Sequence, residues 1–278
     1  TPLDMINWMR LGPSWMLFMG HLGLGVKHTT PLSIISIVGF LVVGFALLRP
    51  SNWLEVILGW LAMASPAAIF AYERANIDIT LFCVLALATF LATKSRPFFG
   101  WLAWLLIAVN IGFKYFPTAA FLILVHPKWG RRRFFTFTIT GILAVSTYLA
   151  IYWREIAWVK EQVSNSVTFF QFGGSLFWEI IGLPEGLILP TTIALVCIIF
   201  LSGITVANHY NYRLSVADSW RGTFFIFSSS TIIFCFATGI SFEYRLIFLL
   251  PSLPLLLYLI REHSALKPLR YACIITVC

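Results

Sequence analysis

Long apolar runs that carry almost no charge are the feature that most constrains how this chain can fold. Of its 278 residues, 59% are hydrophobic, 17% aromatic and 11% charged, with a mean hydropathy of +0.88. Soluble domains carry roughly 25% charged residues, so this composition is typical of a protein solvated by lipid. Because a spanning helix needs about 20 residues, we predict an all-α, polytopic transmembrane helical bundle with about eight to ten membrane segments. Residues 1–278 are then a single transmembrane domain, which we expect to be truncated at both ends.

Seven apolar runs are predicted to span the membrane, and an eighth region permits two interpretations. The seven are residues 32–48, 53–72, 79–93, 134–152, 187–207, 223–240 and 246–260. As a single helix, residues 98–125 would be about 42 Å long, more than a hydrocarbon core of about 30 Å. Two segments that meet near Lys114 fit better, because Pro117 lacks a backbone donor and disrupts a helix. The connection 153–185 is predicted to be an interfacial lid or a carbohydrate-binding edge that includes Trp178.

Two polar stretches interrupt the apolar sequence. They are residues 73–78 (Glu-Arg-Ala-Asn-Ile-Asp) and residues 114–117 (Lys-Tyr-Phe-Pro). A charge at membrane depth is costly, so its default interpretation is functional. Because the first stretch is a short connection between two spans, its acidic, basic and amide side chains crowd one rim of the bundle.

Lys114 requires a negative partner. Thirteen uncharged residues separate it from Lys128, which corresponds to about 20 Å of helix and places the ammonium below the membrane surface. The partner is either Glu73 or Asp78, which gives a structural ion pair, or the phosphate of a ligand. Asp78 is equally consistent with a helix N-cap, and Asn76 with a residue that shapes the turn.

The distribution of basic residues predicts the orientation. On the two-segment interpretation, one face holds 12 of the 19 basic residues, which marks it as cytoplasmic. These residues are Arg49, Lys94, Arg96, Lys128, Arg131, Arg132, Arg133, Arg213, Arg221, Arg261, Lys267 and Arg270. Both polar stretches then face outward, although a single span over 98–125 gives the same count. The cytoplasmic loops account for the net charge of +8, so no nucleic-acid partner is predicted.

A third polar stretch, residues 241–245 (Ser-Phe-Glu-Tyr-Arg), lies between two predicted spans on the same outward face. One interpretation is an interfacial anchor, with Tyr244 in the aromatic belt. The other is that Arg245 supplies a second contact to a phosphate.

These motifs, in this order, resemble those of polytopic GT-C glycosyltransferases. The resemblance rests on Ser65-Pro66, on stretch 73–78, on Phe113-Lys114-Tyr115-Phe116-Pro117, on the basic loop 129–133 and on the run 242–256. It is strongest for glycosyltransferase family 87, which includes polyprenol-dependent mannosyltransferases. Ala75 stands where such turns usually have glycine. The family's first outward loop, with its catalytic aspartate, is expected upstream of Thr1, with Asp4 as its alternative remnant.

The resemblance implies a cell-membrane enzyme that transfers a sugar, either a hexose such as mannose or a pentose. The donor is a polyprenyl-phosphate sugar, and the acceptor is a hydroxyl of a glycan or a lipid at the extracytoplasmic face. The implied residues are Lys114 and Arg245 for the lipid phosphate, Arg74, Asn76 and Tyr244 for the sugar, and Asp78 or Glu73 as catalytic base. Membrane lipids are further partners. No cofactor is predicted, and the need for a divalent metal stays open.

Two other classes of protein compete with the enzyme. A multi-pass transporter or flippase for a lipid-linked or anionic substrate would use Glu73, Asp78 and Lys114 as a relay at a broken helix. Inverted repeats would favour it, and none is visible in the two halves of the sequence. A structural membrane partner would require only that the charged groups pair with one another.

Overall fold

The computed structural model describes residues 21–23, 26–50, 52–73, 76–114, 116–125, 130–162, 171–172, 174–209, 220–237 and 241–261. Within these ranges the regular structure is helical, apart from one antiparallel bridge that pairs Gln171 with Phe242 and Phe172 with Ser241. The prediction of an all-α protein is therefore confirmed for this part of the chain.

The helices of the N-terminal half follow a turn of 3-10 helix at Val26–His28. They are α1 (Thr29–Leu48), α2 (Trp53–Met63), α3 (Pro66–Glu73), α4 (Ile77–Ala92) and α5 (Pro97–Phe113), followed by a 3-10 segment, Phe116–Val125. The C-terminal half comprises α6 (Gly130–Gln162), β1 (Gln171–Phe172), α7 (Gly174–Ile181), α8 (Glu185–His209), α9 (Trp220–Ala237), β2 (Ser241–Phe242), a second 3-10 segment (Glu243–Ser252) and α10 (Leu253–Arg261).

Three of the described helices contain a stretch that is long and apolar enough to cross a membrane: Thr29–Leu48, Phe135–Arg154 within α6, and Trp220–Ala237. A fourth span results if the bent pair α2 and α3 is counted as one. These helices indicate a multi-pass membrane protein. The larger number of eight to ten membrane segments stays a prediction.

The predicted span 53–72 is two helices that meet at an angle of 47°. Pro66 causes the break, because proline fits the first turn of a helix but not its interior. The Ser65 hydroxyl accepts a hydrogen bond from the Ala68 amide at 3.4 Å and so supports the start of α3. Across the bend, the Tyr72 hydroxyl donates to the Met63 carbonyl at 2.9 Å. This bond satisfies a carbonyl near the end of α2 and fixes the angle between the helices.

The break near Lys114 is confirmed. Helix α5 ends at Phe113, and Lys114 has extended backbone angles of φ −150° and ψ 153°. The chain then continues as the 3-10 segment Phe116–Val125, which contains Pro117. Lys114 thus lies at the junction of two helical segments, so the direction of its side chain is not set by the geometry of either helix.

The predicted loop 153–185 is partly helical. Helix α6 continues to Gln162 through a kink at Tyr152, where φ is −106° and ψ is 17°. The loop also contains α7, whose Trp178 indole N–H donates to the Thr192 hydroxyl of α8 at 3.0 Å. This bond packs α7 against α8. Residues 163–170 of this predicted loop lie outside the described residues.

The core of the bundle is aromatic around Phe248, which is fully buried in the Glu243–Ser252 segment. Its ring lies 5.2 Å from that of Phe116, 5.9 Å from that of Phe82 and 6.1 Å from that of Phe227, measured between centroids. The Ser228 hydroxyl of α9 donates to the Phe248 carbonyl at 2.7 Å. The four rings and this bond hold the Glu243–Ser252 segment against helices α4 and α9.

Helix α9 and the returning chain 243–261 form a hairpin that defines two ends of the bundle. The 18 residues of α9 correspond to about 27 Å of helix. Arg221 lies at the start of α9, and its guanidinium carbon is 4.9 Å from the ring centroid of Tyr258 in α10. Arg245 lies just after the turn of the hairpin. Arg221 and Arg245 are therefore at opposite ends, as the predicted orientation requires.

Candidate functional site

The site is built on the first turn of α4. Asn76 is the N-cap of this helix, and its side-chain carbonyl accepts a hydrogen bond from the Asp78 amide at 3.0 Å. The prediction that Asn76 shapes the turn is thereby confirmed. The interpretation of Asp78 as the N-cap is wrong, because the helix begins two residues earlier than predicted, at Ile77. The Asp78 side chain is consequently directed into the bundle and is 0% exposed.

Two cations converge on the Asp78 carboxylate. The Lys114 ammonium lies 2.6 Å from Oδ1, and Nε of Arg245 lies 3.6 Å from Oδ2. The three residues come from α4, from the junction after α5 and from the Glu243–Ser252 segment. Of the two partners predicted for Lys114 within the chain, Asp78 is the one that the structure shows in contact. We refer to Asp78, Lys114 and Arg245 as the charged cluster.

Burial makes the charged cluster electrostatically strong. The Asp78 side chain is 0% exposed, and those of Lys114 and Arg245 are 11% and 10% exposed. At an effective dielectric constant of about 20, opposite charges attract by about 6 kcal/mol at 2.6 Å and about 5 kcal/mol at 3.6 Å. Desolvation offsets much of this attraction, so the net stabilisation is far smaller. The position of Asp78 in the first turn of α4 adds a favourable interaction with the helix dipole.

An aromatic ring borders the cluster. The guanidinium carbon of Arg245 lies 5.1 Å from the ring centroid of Phe116, which is 0% exposed. A cation over a ring face is stabilised by about 0.5 to 2 kcal/mol, with the larger value at desolvated sites. Phe116 also packs on Phe248, so the aromatic core fixes the position of Arg245. Phe116 was not among the predicted site residues, although it lies in the same motif as Lys114.

A buried acceptor lies one turn before Lys114. Asn110 is 1% exposed, and its amide nitrogen donates to the Leu106 carbonyl at 2.6 Å. Its side-chain oxygen has no hydrogen-bond partner among the residues that the structure describes. Buried polar atoms of this kind are rare and call for an explanation. Asn110 was not among the predicted site residues, and its one signal in the sequence is an amide four residues before a lysine in an apolar run.

The other predicted site residues are placed as follows. Glu73 is the last residue of α3, and its side chain is exposed, outside the charged cluster. Arg74 lies outside the described residues. Tyr244 belongs to the Glu243–Ser252 segment, but its side chain is not among those described. The sugar-binding roles of Arg74, Asn76 and Tyr244 and the role of Glu73 as base therefore stay predictions.

No group of three or more metal-ligating side chains occurs in the part of the chain that the structure describes. The described cysteines, Cys83, Cys197 and Cys235, are not joined in disulfides. The charged cluster offers one carboxylate beside two cations, which is an arrangement suited to anions. An anionic group such as a phosphate would meet the ammonium of Lys114 and the guanidinium of Arg245, the members of the cluster that retain some exposure.

Comparison with known proteins gives no further identification, since no family model, no curated protein and no solved structure matches this chain.

Proposed function

We propose that the protein is an integral-membrane glycosyltransferase that takes a sugar from a polyprenyl-phosphate donor. The observation that carries the proposal is the convergence of Lys114 and Arg245 on the buried Asp78 carboxylate. The two cations are distant in sequence and are held at one place among apolar and aromatic residues. An apolar setting suits a polyprenyl chain, and the cations suit its phosphate. The proposal includes a GT-C-like bundle with the site at the extracytoplasmic face.

Lys114 and Arg245 hold the lipid phosphate in this proposal. The acceptor oxygen bonds to the anomeric carbon with inversion, while the bond from that carbon to the phosphate oxygen breaks. The polyprenyl phosphate leaves with the electron pair of that bond, and the two cations stabilise its negative charge. Such electrostatic stabilisation is usually the largest single contribution to catalysis.

Asp78 positions the two cations instead of acting as the base. A base must come within hydrogen-bond reach of the acceptor hydroxyl, whereas Asp78 is 0% exposed and contacts both cations. Of the two predicted acids, Glu73 is the exposed one, at the end of the helix before α4. We therefore assign Glu73 to accept the proton of the acceptor hydroxyl.

A transporter or flippase for the same class of substrate is the second candidate. The break between α5 and the Phe116–Val125 segment favours it, because transporters bind substrates at discontinuous helices. Binding of an anionic lipid is common to both functions. Transfer of the sugar distinguishes them.

The test is a transfer assay with the full chain in lipid nanodiscs. A labelled polyprenyl-phosphate hexose is supplied with a panel of glycan and lipid acceptors, and the labelled product is counted. The informative variant is Lys114→Met combined with Asp78→Asn, which removes one charge of each sign. This variant keeps the net charge of the cluster unchanged but takes the carboxylate from Arg245, so its unfolding temperature falls below that of the wild type, and transfer is assayed well below that temperature. Loss of a group that stabilises the leaving phosphate lowers transfer by about 100-fold or more.

The matched control is Lys94→Met combined with Glu179→Gln, which also removes one charge of each sign, at two exposed positions. It retains wild-type transfer. Wild-type transfer by the variant of Lys114 and Asp78 would show that these residues only stabilise the fold. Movement of the intact sugar lipid across liposomes, without transfer by the wild type, would support the transporter instead.

A further inference from the structure

Two arginines share one indole ring at the end of the bundle opposite the charged cluster. Arg49 follows the last residue of α1, and Trp220 is the first residue of α9. The guanidinium carbons of Arg49 and Arg221 each lie 5.0 Å from the ring centroid of Trp220. Arg221 also lies 4.9 Å from the ring centroid of Tyr258. We refer to Arg49, Arg221 and Trp220 as the indole site.

The indole site concentrates positive charge. Because both guanidinium carbons are 5.0 Å from one centroid, they are at most about 10 Å apart, close to the Debye length of about 8 to 10 Å. Among the residues that the structure describes, Glu55 is the buried acid at this end, and it contacts Arg261 in an ion pair and Asn52 in a hydrogen bond of 3.1 Å. The contact with an aromatic ring depends on the positive charge of the guanidinium group. Phosphate is recognised by a different feature of the same group, the N–H donors that lie in its plane.

The backbone of Arg49 is unusual for an arginine. Its angles of φ 41° and ψ 59° lie in the left-handed region, and it is the one non-glycine residue with positive φ among those described. Glycine or asparagine normally occupies this position after a helix. The local conformation therefore does not explain why the position holds arginine. The contact of its side chain with Trp220 does provide a reason.

The position of the indole site matches the level of lipid headgroups. Helices α1 and α9 are both candidate spans, and the site lies where α1 ends and α9 begins. Tryptophan and tyrosine are enriched at this boundary, and arginines next to it attract anionic lipids. The predicted orientation assigns Arg49 and Arg221 to the cytoplasmic face.

We propose that the indole site binds the headgroup phosphate of an anionic phospholipid, with Arg49 and Arg221 as its two ligands. Trp220 keeps the two guanidinium groups close together although both are positive. The proposal is independent of the transferase, because the indole site and the charged cluster lie at opposite ends of α9 and the chain that returns from it.

The test is native mass spectrometry of the full chain, with equal amounts of phosphatidylglycerol and phosphatidylcholine and with inorganic phosphate as a competitor. The wild type retains phosphatidylglycerol in preference to phosphatidylcholine, and added salt weakens this preference. Arg49→Gln combined with Arg221→Gln lowers it by at least about tenfold, since a charge-assisted hydrogen bond from an arginine to the headgroup phosphate contributes about tenfold or more. Equal retention of both lipids by the wild type would overturn the proposal, whether or not the variant folds.

The control is Lys94→Gln combined with Arg96→Gln, which removes the same charge from the same predicted face. Both residues are exposed, and Lys94 lies 4.1 Å from the ring centroid of Phe90, so this control also removes one cation–aromatic contact. It lowers the preference by less than a factor of two. An equal loss in both variants would overturn the proposal in favour of a diffuse basic face. Displacement of the lipid by inorganic phosphate at matched concentration would show a free-anion site and would likewise overturn it.

Discussion

Asp78→Asn is the substitution that most directly probes the charged cluster. It keeps the size of the side chain but leaves Lys114 and Arg245 together without their shared carboxylate. The attractions lost amount to about 6 kcal/mol at 2.6 Å and about 5 kcal/mol at 3.6 Å, for an effective dielectric constant of about 20. The net loss of stability is smaller, because burial of the wild-type carboxylate also costs desolvation free energy, which the neutral asparagine avoids. Removal of one partner from a buried ion pair costs about 3 to 5 kcal/mol.

The assay is thermal unfolding in detergent, followed by far-UV circular dichroism. A loss of about 3 to 5 kcal/mol corresponds to a fall in unfolding temperature of about 6 to 20 °C for a domain of this size. The control is Glu73→Gln, the same chemical change at an exposed carboxylate on the preceding helix. It changes the stability by less than about 0.5 kcal/mol, as exposed substitutions usually do. Equal unfolding temperatures for the two variants would refute the anchoring role of Asp78.

Two further substitutions test how the core holds the cluster, each by the same unfolding assay. Ser228→Ala removes a hydroxyl that donates at 2.7 Å to a carbonyl of the neighbouring 3-10 segment, so we expect a loss of about 1 to 2 kcal/mol. In the control Ser230→Ala, the lost bond of 3.1 Å lies within α9, and a larger loss there would contradict this reasoning. Phe116→Leu removes the ring 5.1 Å from Arg245 and costs about 1 to 3 kcal/mol. Phe90→Leu, at a ring that is 43% exposed, changes stability little, and an equal loss would argue against the contact with Arg245.

The sequence predicted the members of the cluster because charges are rare and costly in an apolar chain. Asp78, Lys114 and Arg245 were all singled out on this ground, and all three lie together in the structure. The break at Lys114 was also predictable, because Pro117 is incompatible with a continuous helix. These inferences needed only the local sequence and the properties of a bilayer.

The pairing within the cluster could not be predicted. Glu73 and Asp78 belong to the same short polar stretch of sequence, and nothing in that stretch favours either as the partner of Lys114. The choice depends on the start of α4, where Asn76 caps the helix and turns Asp78 inward. The helix begins two residues earlier than predicted, so Asp78 lies in its first turn and not at the N-cap, and an N-cap placed at Asp78 predicted the wrong direction for its side chain.

The tertiary contacts of Arg245 could not be predicted from the sequence either. Its approach to Asp78 and Phe116 depends on the hairpin formed by α9 and the Glu243–Ser252 segment. The aromatic packing around Phe248 fixes that hairpin, and aromatic residues are too common in this chain to reveal which rings meet. The bend between α2 and α3 had a local signal in Ser65-Pro66, which the hydropathy of 53–72 outweighed.

We propose that Lys114 and Arg245 bind a lipid phosphate, and a comparison of two ligands tests this assignment. A polyprenyl phosphate and the polyprenol of the same length differ only in the phosphate, and each is titrated into the full chain in nanodiscs. We expect the wild type to bind the phosphate at least about tenfold more tightly than the alcohol, since a charge-assisted hydrogen bond contributes about 1.5 to 3 kcal/mol. Lys114→Met combined with Asp78→Asn is expected to abolish most of this difference. Equal affinity of the wild type for the two ligands would rule out a phosphate site at these two cations.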